Sequence, residues 1–149
     1  MKITDITLTF LKIGKGLLRV QTDAGVEGWA EAPGRNPDAQ GGEYGYYSGR
    51  VFEAYLESII KPVLIGEDPL QIERHWETLA LGKDEKLFKL PSDVVGVIDV
   101  ALWDLMGKAL DQPVYQLLGG ARRDRVTAYA SGFFKLRGVD HVQSLVAEA

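Results

Sequence analysis

A long loop holds the residues that are best suited to bind a small acidic molecule. It covers residues 33–49 and reads PGRNPDAQGGEYGYYSG. Its candidate binding side chains are Arg35, Asn36, Tyr44, Tyr46 and Tyr47. Arginine pairs with carboxylates through two parallel hydrogen bonds, and tyrosine hydroxyls can bind other hydroxyls. A loop of this length without secondary structure is more often a binding segment than a neutral connector. The alternative is a flexible surface loop whose tyrosines pack against neighbours or against a second subunit.

A second, shorter loop adds positive charge. It covers residues 12–16, reads KIGKG, and carries Lys12 and Lys15. Together the two loops offer cations, an amide and several hydroxyls. Their polarity favours a hydroxylated acid as the ligand over a purely aromatic or hydrocarbon molecule.

The remaining residues that often do chemistry have simpler explanations. Asp99 and Asp104 are five positions apart on a predicted helix, so they point to different faces and cannot share one metal ion without distortion. We expect solvated or capping carboxylates there. Glu31 ends a predicted strand, and we expect it to bond to neighbouring backbone N–H groups, with a position inside a site as the alternative. His75 and His141 are isolated and are predicted to be surface or interface residues.

Composition excludes several classes of protein. The chain has 149 residues, 46% hydrophobic and 26% charged, with a net charge of −4. These values are typical of a globular protein with no field to attract nucleic acid or an anionic membrane. Cysteine is absent, which excludes disulfides and thiolate metal sites. The first residues, MKITDITLTF, alternate in polarity and resemble neither a signal peptide nor a membrane span. We expect a cytoplasmic protein.

Strands come first along the chain. Ile6, Leu8 and Phe10 alternate with threonines, and Leu18 and Val20 continue the alternation in a second segment. The sequence Asp-Ala-Gly at 23–25 indicates a short turn, after which residues 26–30 should pair back as a third strand. Three antiparallel strands with one apolar face need a covering layer.

Three helices are predicted to supply that layer. The first covers residues 50–64, has apolar residues at helical spacing, and should end or kink at Pro62. Its stripe is Val51, Tyr55, Ile59 and Val63. The second begins at an Asp68 N-cap, with Pro69 and Gln71 completing a capping box. Its buried stripe is predicted to be Ile72, Trp76 and Leu79.

The third helix is the longest. It begins near Pro91-Ser92 and carries apolar residues at steps of three and four. They are Val95, Ile98, Leu102, Leu105 and Ala109. A short further helix follows Pro113 and ends at the pair Gly119-Gly120.

The pattern changes after this glycine pair. Residues 126–131, VTAYAS, read as a new strand, and Asp140 with Gln143 marks the start of another helix. A lone strand and helix cannot cover both faces of a parallel strand. We therefore expect this end to be the first step of a larger α/β domain.

Several motifs, in this order, resemble one known family. The segment GVEGWAE at 25–31 is similar to its third-strand motif, with Ala30 where glycine is commoner. The helical motifs are Ile72-Glu73 with Trp76, then IDVALWDL at 98–105, Gly107-Lys108, QPV at 112–114 and LLGG at 117–120. They resemble the capping domain of the mandelate racemase/muconate-lactonising branch of the enolase superfamily. VTAYAS resembles the first strand of the family's barrel.

The resemblance implies a fold and a division of the chain. Residues 1–121 would form an α+β capping domain, with a three-stranded antiparallel sheet followed by three helices. Residues 122–149 would be the first β-α unit of an incomplete (β/α) TIM-like barrel, since such a barrel needs about 250 residues. Oligomers are expected, because family members are often symmetric assemblies.

The resemblance also implies a chemistry that this segment lacks. The family abstracts the proton α to a carboxylate, with one Mg²⁺ stabilising the enediolate. Three acidic ligands and a lysine or histidine base are expected on later barrel strands, so the segment should contain neither metal ligands nor catalytic residues. The loops at 12–16 and 33–49 would cover the barrel mouth and select the substrate. Ser131 matches a serine that approaches the substrate carboxylate in the mandelate racemase subgroup; the alternative is a bond to local backbone.

These expectations lead to one preferred function and two alternatives. The polar loops favour a sugar acid, and sugar acids lose water after α-proton abstraction, so an acid-sugar dehydratase is predicted. A racemase, epimerase or cycloisomerase acting on another carboxylate shares the first step and is the first alternative. The second is a non-catalytic structural or interaction module, if the chain exists alone.

Overall fold

The structure begins with a three-stranded antiparallel sheet. The computed structural model describes residues 1–12, 15–33, 49–82 and 89–128. The strands are β1 (Ile3–Phe10), β2 (Gly16–Thr22) and β3 (Glu27–Ala32), in the spatial order β1-β2-β3. Gly25 closes the turn between β2 and β3 at a φ of 74°, a value that glycine adopts without strain. The three predicted strands are thus confirmed.

Helices follow the sheet. They are α1 (Gly49–Tyr55), α2 (Lys61–Leu64), α3 (Ile72–Trp76), α4 (Ser92–Ala109) and α5 (Val114–Leu117). A π turn at Leu56–Ile60 joins α1 to α2, and another at Glu77–Leu81 continues α3. Buried side chains of the strands and helices form one hydrophobic core. This arrangement confirms the α+β capping architecture, with helices covering one face of the sheet.

The buried face of the first helical segment differs from the prediction. Val51 is exposed, and the buried stripe lies one position later along the whole segment. It consists of Phe52, Leu56, Ile60 and Leu64. Both stripes are apolar and have the same spacing, so the sequence pattern could not select between them. The helical segment continues past Pro62 and ends at Leu64. The π turn before the proline changes the local hydrogen-bond pattern, so the missing N–H of Pro62 is tolerated there.

The second helix begins later than predicted. The Asp68 carboxylate accepts a hydrogen bond from Leu70 N at 3.1 Å, so it stabilises a turn, and α3 begins only at Ile72. The predicted buried residue Trp76 is 43% exposed, and its neighbour His75 is buried instead. Ile72 is buried as predicted. Leu79 is also buried as predicted, so the stripe differs from the prediction at one position, where His75 replaces Trp76.

The long helix and its exit agree with the sequence. Four of the five predicted core positions of α4 are buried, and only Ala109 is partly exposed. Asp111 follows the helix at a φ of 51°. The hydrogen bonds from Asp111 N to Lys108 O and from Gln112 N to Gly107 O form a Schellman cap. Gly119 and Gly120 have positive φ and end α5.

The predicted barrel strand is only partly described. Residues 126–128 have no regular secondary structure and are exposed, and residues 129–131 lie outside the described part of the chain. The barrel unit at 122–149 therefore stays a prediction. Within the described ranges, no helix combines the length and apolarity needed to cross a membrane.

The sheet and α4 meet at Gly28. A Cβ atom on Gly28 would lie 2.0 Å from the Ala101 carbonyl oxygen and 2.8 Å from Leu105 Cβ. Neither the helix backbone nor a buried leucine can move away without disturbing the core. Glycine at this position therefore permits β3 and α4 to pack in direct contact.

Replacing Gly28 should separate these two elements. We expect Gly28→Ala to lower the free energy of unfolding by about 3 kcal/mol or more, because the clash is with backbone rather than a flexible side chain. Gly96→Ala in α4 is the matched control. A Cβ at Gly96 meets nothing within 4 Å, so alanine should stabilise the helix by about 1 kcal/mol. Denaturant unfolding measures both changes, and an unchanged Gly28→Ala midpoint would contradict the packing argument.

Candidate functional site

Two charged residues of α4 bind the outer edge of β3. The Asp104 Oδ2 atom accepts a hydrogen bond from Trp29 N at 2.8 Å, and Lys108 Nζ donates to the Glu27 carbonyl oxygen at 3.1 Å. Asp104 and Lys108 also pair with each other at 2.5 Å. They satisfy backbone groups that a further strand would otherwise pair. These motif residues therefore stabilise the sheet edge.

A second cluster covers the outer face of the sheet. The Arg19 guanidinium donates a hydrogen bond to Glu27 and lies 5.4 Å from the centre of the Trp29 ring. This hydrogen bond holds the pKa of the Glu27 carboxyl below its usual value and raises the pKa of Arg19. The cluster joins β2 to β3 across the sheet. The hydrogen bond keeps the Arg19 and Glu27 side chains charged, and this favours a structural ion pair over a role in proton transfer.

Asp99 lies in a different environment from Asp104. Burial raises the pKa of the Asp99 carboxyl, the nearby Glu73 carboxylate adds to the rise, and a hydrogen bond with Trp103 opposes it. Glu73 and Trp103 also line an open cleft of about 280 Å³. Asp99 and Asp104 thus lie in separate environments, as their five-residue spacing on the helix predicts.

The described residues do not fit a Mg²⁺ site. Across 1–12, 15–33, 49–82 and 89–128, no three histidine or carboxylate side chains lie close enough together to hold a metal ion. Asp104 already binds a backbone N–H and an ammonium group. Magnesium needs several oxygen ligands in octahedral geometry, and the described side chains do not supply them.

The prediction of a surface position for His75 was wrong. The side chain is 3% exposed, and its Nε2 atom lies 2.7 Å from the Asp68 carbonyl oxygen. The ring N–H can donate to that oxygen and hold the turn before α3 against the helix. Because its ring is buried and contacts a backbone carbonyl, His75 has a structural role. His141 lies outside the described residues.

The short basic loop is anchored to the sheet. Lys12 is exposed, whereas Lys15 Nζ pairs with Glu31 Oε1 at 2.7 Å. Glu31 therefore bonds to a lysine rather than to the backbone N–H groups that we expected. The sequence could not reveal this pair, because it depends on the register between β2 and β3, where Leu17 faces Glu31.

The remaining candidate binding residues lie outside the described part of the chain. They are Arg35, Asn36, Tyr44, Tyr46, Tyr47 and Ser131. The structure shows only where the long loop begins and ends: β3 leads into Pro33, and α1 begins at Gly49. Their roles stay predictions.

Comparison with known proteins shows a consistent relationship. Residues 12–119 match the family model for the N-terminal domain of mandelate racemase / muconate lactonizing enzyme. A D-galactonate dehydratase from Pectobacterium atrosepticum is 38% identical over 130 residues, which cover 87% of this chain and 31% of that protein.

Solved structures share the fold at a similar level of identity. The muconate lactonizing enzyme from Pseudomonas putida has a TM-score of 0.67 and 32% identity, covering 83% of this chain and 34% of its own. An enolase from Agrobacterium radiobacter, bound to sodium and L-malate, has a TM-score of 0.65 and 29% identity, covering 85% of this chain and 30% of its own. The chain spans 26% to 31% of the length of the curated relatives that it matches.

The raised pKa of Asp99 has a testable consequence. Because the folded protein holds this proton more tightly than the unfolded chain, the stability contributed by Asp99 is present at low pH and is lost as the pH rises through the raised pKa. Asp99→Asn removes the ionisation but keeps an acceptor for Trp103. We expect the variant to gain stability over the parent protein, and to gain more at pH 7 than at pH 3. The exposed Asp124→Asn is the control in denaturant unfolding at both pH values; an equal gain at both would contradict the assignment.

Proposed function

Because this chain belongs to the mandelate racemase/muconate lactonizing enzyme family of the enolase superfamily, we propose that it is the N-terminal part of an acid-sugar dehydratase. The observation that carries the proposal is its similarity to a D-galactonate dehydratase over 87% of its residues. The reaction would remove the proton α to a carboxylate and then expel the β-hydroxyl as water. The catalytic base and the proton donor for the leaving group would lie beyond this segment.

In this proposal the chain contributes to substrate selection. Lys12 is exposed at the end of β1, in the short basic loop. The proposed contacts on the long loop and the barrel are Arg35, Asn36, Tyr44, Tyr46, Tyr47 and Ser131. Guanidinium and hydroxyl groups match the carboxylate and the multiple hydroxyls of a sugar acid. The enolase relative with bound L-malate offers a parallel, since malate is also a hydroxylated carboxylic acid.

Magnesium is part of the proposal, with ligands outside the described residues. When bound near a carboxylate, the ion would stabilise the negative charge that develops as the α-proton leaves. The described side chains would neither hold the ion nor move the proton. They would build the scaffold from which the two loops extend. A homo-oligomer and a cytoplasmic location are also part of the proposal.

A racemase, epimerase or cycloisomerase is the alternative. A racemase or epimerase would begin with the same proton transfer, whereas a cycloisomerase would form the same kind of enolate by adding a carboxylate oxygen to a double bond and would then protonate it. A muconate lactonizing enzyme shares this fold. The two possibilities differ in the fate of the intermediate, because only the dehydratase loses a β-hydroxyl. The third possibility, a non-catalytic module, would apply if the chain functioned alone.

Turnover of defined acids separates these functions. We expect the full-length protein with Mg²⁺ to dehydrate at least one member of a panel of aldonic and aldaric acids, giving a 2-keto-3-deoxy product that is detectable as a semicarbazone. Mandelate, N-acylamino acids and muconate serve as the comparison set. Racemisation or cycloisomerisation of one of these, with every sugar acid unchanged, would contradict the dehydratase proposal.

The location of the metal ligands is tested by titration. Calorimetry should detect a stoichiometric Mg²⁺ site in the full-length protein and none in the isolated 149-residue chain, because the described carboxylates are already engaged or too far apart. Asp104→Asn in the full-length protein should leave the Mg²⁺ affinity within about twofold, since Asp104 binds the β3 edge. A stoichiometric site in the isolated chain, or loss of affinity in Asp104→Asn, would place a ligand in this segment.

A further inference from the structure

The two loops of interest leave the sheet side by side. The loop between β1 and β2 closes through a hydrogen bond from Leu11 N to Lys15 O at 2.8 Å. Gly16, the first residue of β2, pairs with Ala32, the last residue of β3. Pro33, the first residue of the long loop, follows at once. The base of one loop therefore lies against the base of the other.

The contact between these bases leaves no room for a side chain. A Cβ atom on Gly16 would lie 2.7 Å from the Pro33 carbonyl oxygen and 3.2 Å from Ala32 Cβ. The first of these distances is too short for any real Cβ contact, and the atom it meets is backbone. A substituent at Gly16 would therefore displace Pro33 and with it the starting direction of the long loop.

An ion pair joins the residues that precede Gly16 and Ala32 in the chain. Lys15 Nζ lies 2.7 Å from Glu31 Oε1, and the two side chains are 45% and 69% exposed. A pair this exposed contributes little to folding stability. Its position is more informative, because Lys15 ends the short loop and Glu31 lies two residues before the long loop.

We infer that Lys15 and Glu31, with the bare backbone of Gly16, are positioning residues that set the short basic loop relative to the start of the long loop. The inference rests on the proposed function, in which both loops contact one acid. In this role Lys15 binds Glu31 and does not itself bind the substrate carboxylate. A change in the ion pair would then alter the arrangement of the two loops, weaken substrate binding and raise KM.

A charge exchange separates positioning from direct binding. In the full-length protein, Lys15→Glu and Glu31→Lys should each raise KM for the best sugar acid about two- to fivefold, the range that corresponds to an exposed ion pair. Their kcat should stay within about twofold. The double variant, with the charges exchanged, should return KM to within about 1.5-fold of the parent value. Gly16→Ala should raise KM at least as much as either single change.

Two control variants test whether the effect is local. Lys89→Glu changes the net charge as Lys15→Glu does, at an exposed site, and Gly96→Ala repeats the added methyl group in open space. Both should leave KM unchanged. If the exchanged double variant is as impaired as Lys15→Glu, Lys15 contacts the substrate and the inference is wrong. If the single variants leave KM unchanged, the pair positions nothing.

A second measurement does not depend on turnover. Hydrogen exchange of peptides covering residues 11–17 and 29–33 should be faster in each single variant and should return to the parent rate in the exchanged one. Equal rates in all variants would overturn the inference even if the protein used a different acid. The absence of any sugar-acid turnover, with the exchange pattern as expected, would overturn only the proposed function.

Discussion

The close contact between β3 and α4 at Gly28 sets how the long helix packs on the sheet. With no side chain on Gly28, the Ala101 carbonyl approaches the strand backbone, and α4 covers the apolar face of the sheet. The same contact brings Asp104 and Lys108 against the strand edge. Because β3 leads into the long loop at Pro33, the packing that builds the core also orients the start of the proposed substrate-selecting segment.

Residues that look catalytic in the sequence serve this packing. An aspartate and a lysine four positions apart on a helix could be read as an acid and a base. In the structure they complete the hydrogen bonds of an edge strand, which would otherwise present free backbone groups to other chains. Arg19, Glu27 and Trp29 form a comparable cluster on the outer face. The family motifs in this domain therefore mark contacts between elements.

The errors in the sequence analysis have a common physical origin. The three strands and the long helix α4 were predictable, because their alternation and spacing are strong local signals. The first helix has two apolar stripes of equal spacing, and tertiary packing selected the one containing Phe52. Asp68 has the side chain of a helix N-cap but forms a turn, and His75 is buried on the face of α3 that also buries Ile72. Local patterns do not record which face meets the core.

The order of elements, the family and the absence of a thiolate site could be read from the sequence, because hydrophobic period, turn residues and composition are properties of the chain alone. The sequence also predicts binding residues on the long loop, from Arg35 to Tyr47, and these stay a prediction. Three contacts could be found only in the folded chain: Lys15 pairs with Glu31, Gly16 touches Pro33 and Asp104 binds the β3 edge. These contacts join residues that are distant along the chain, and their distances depend on strand register and on how closely two backbones approach.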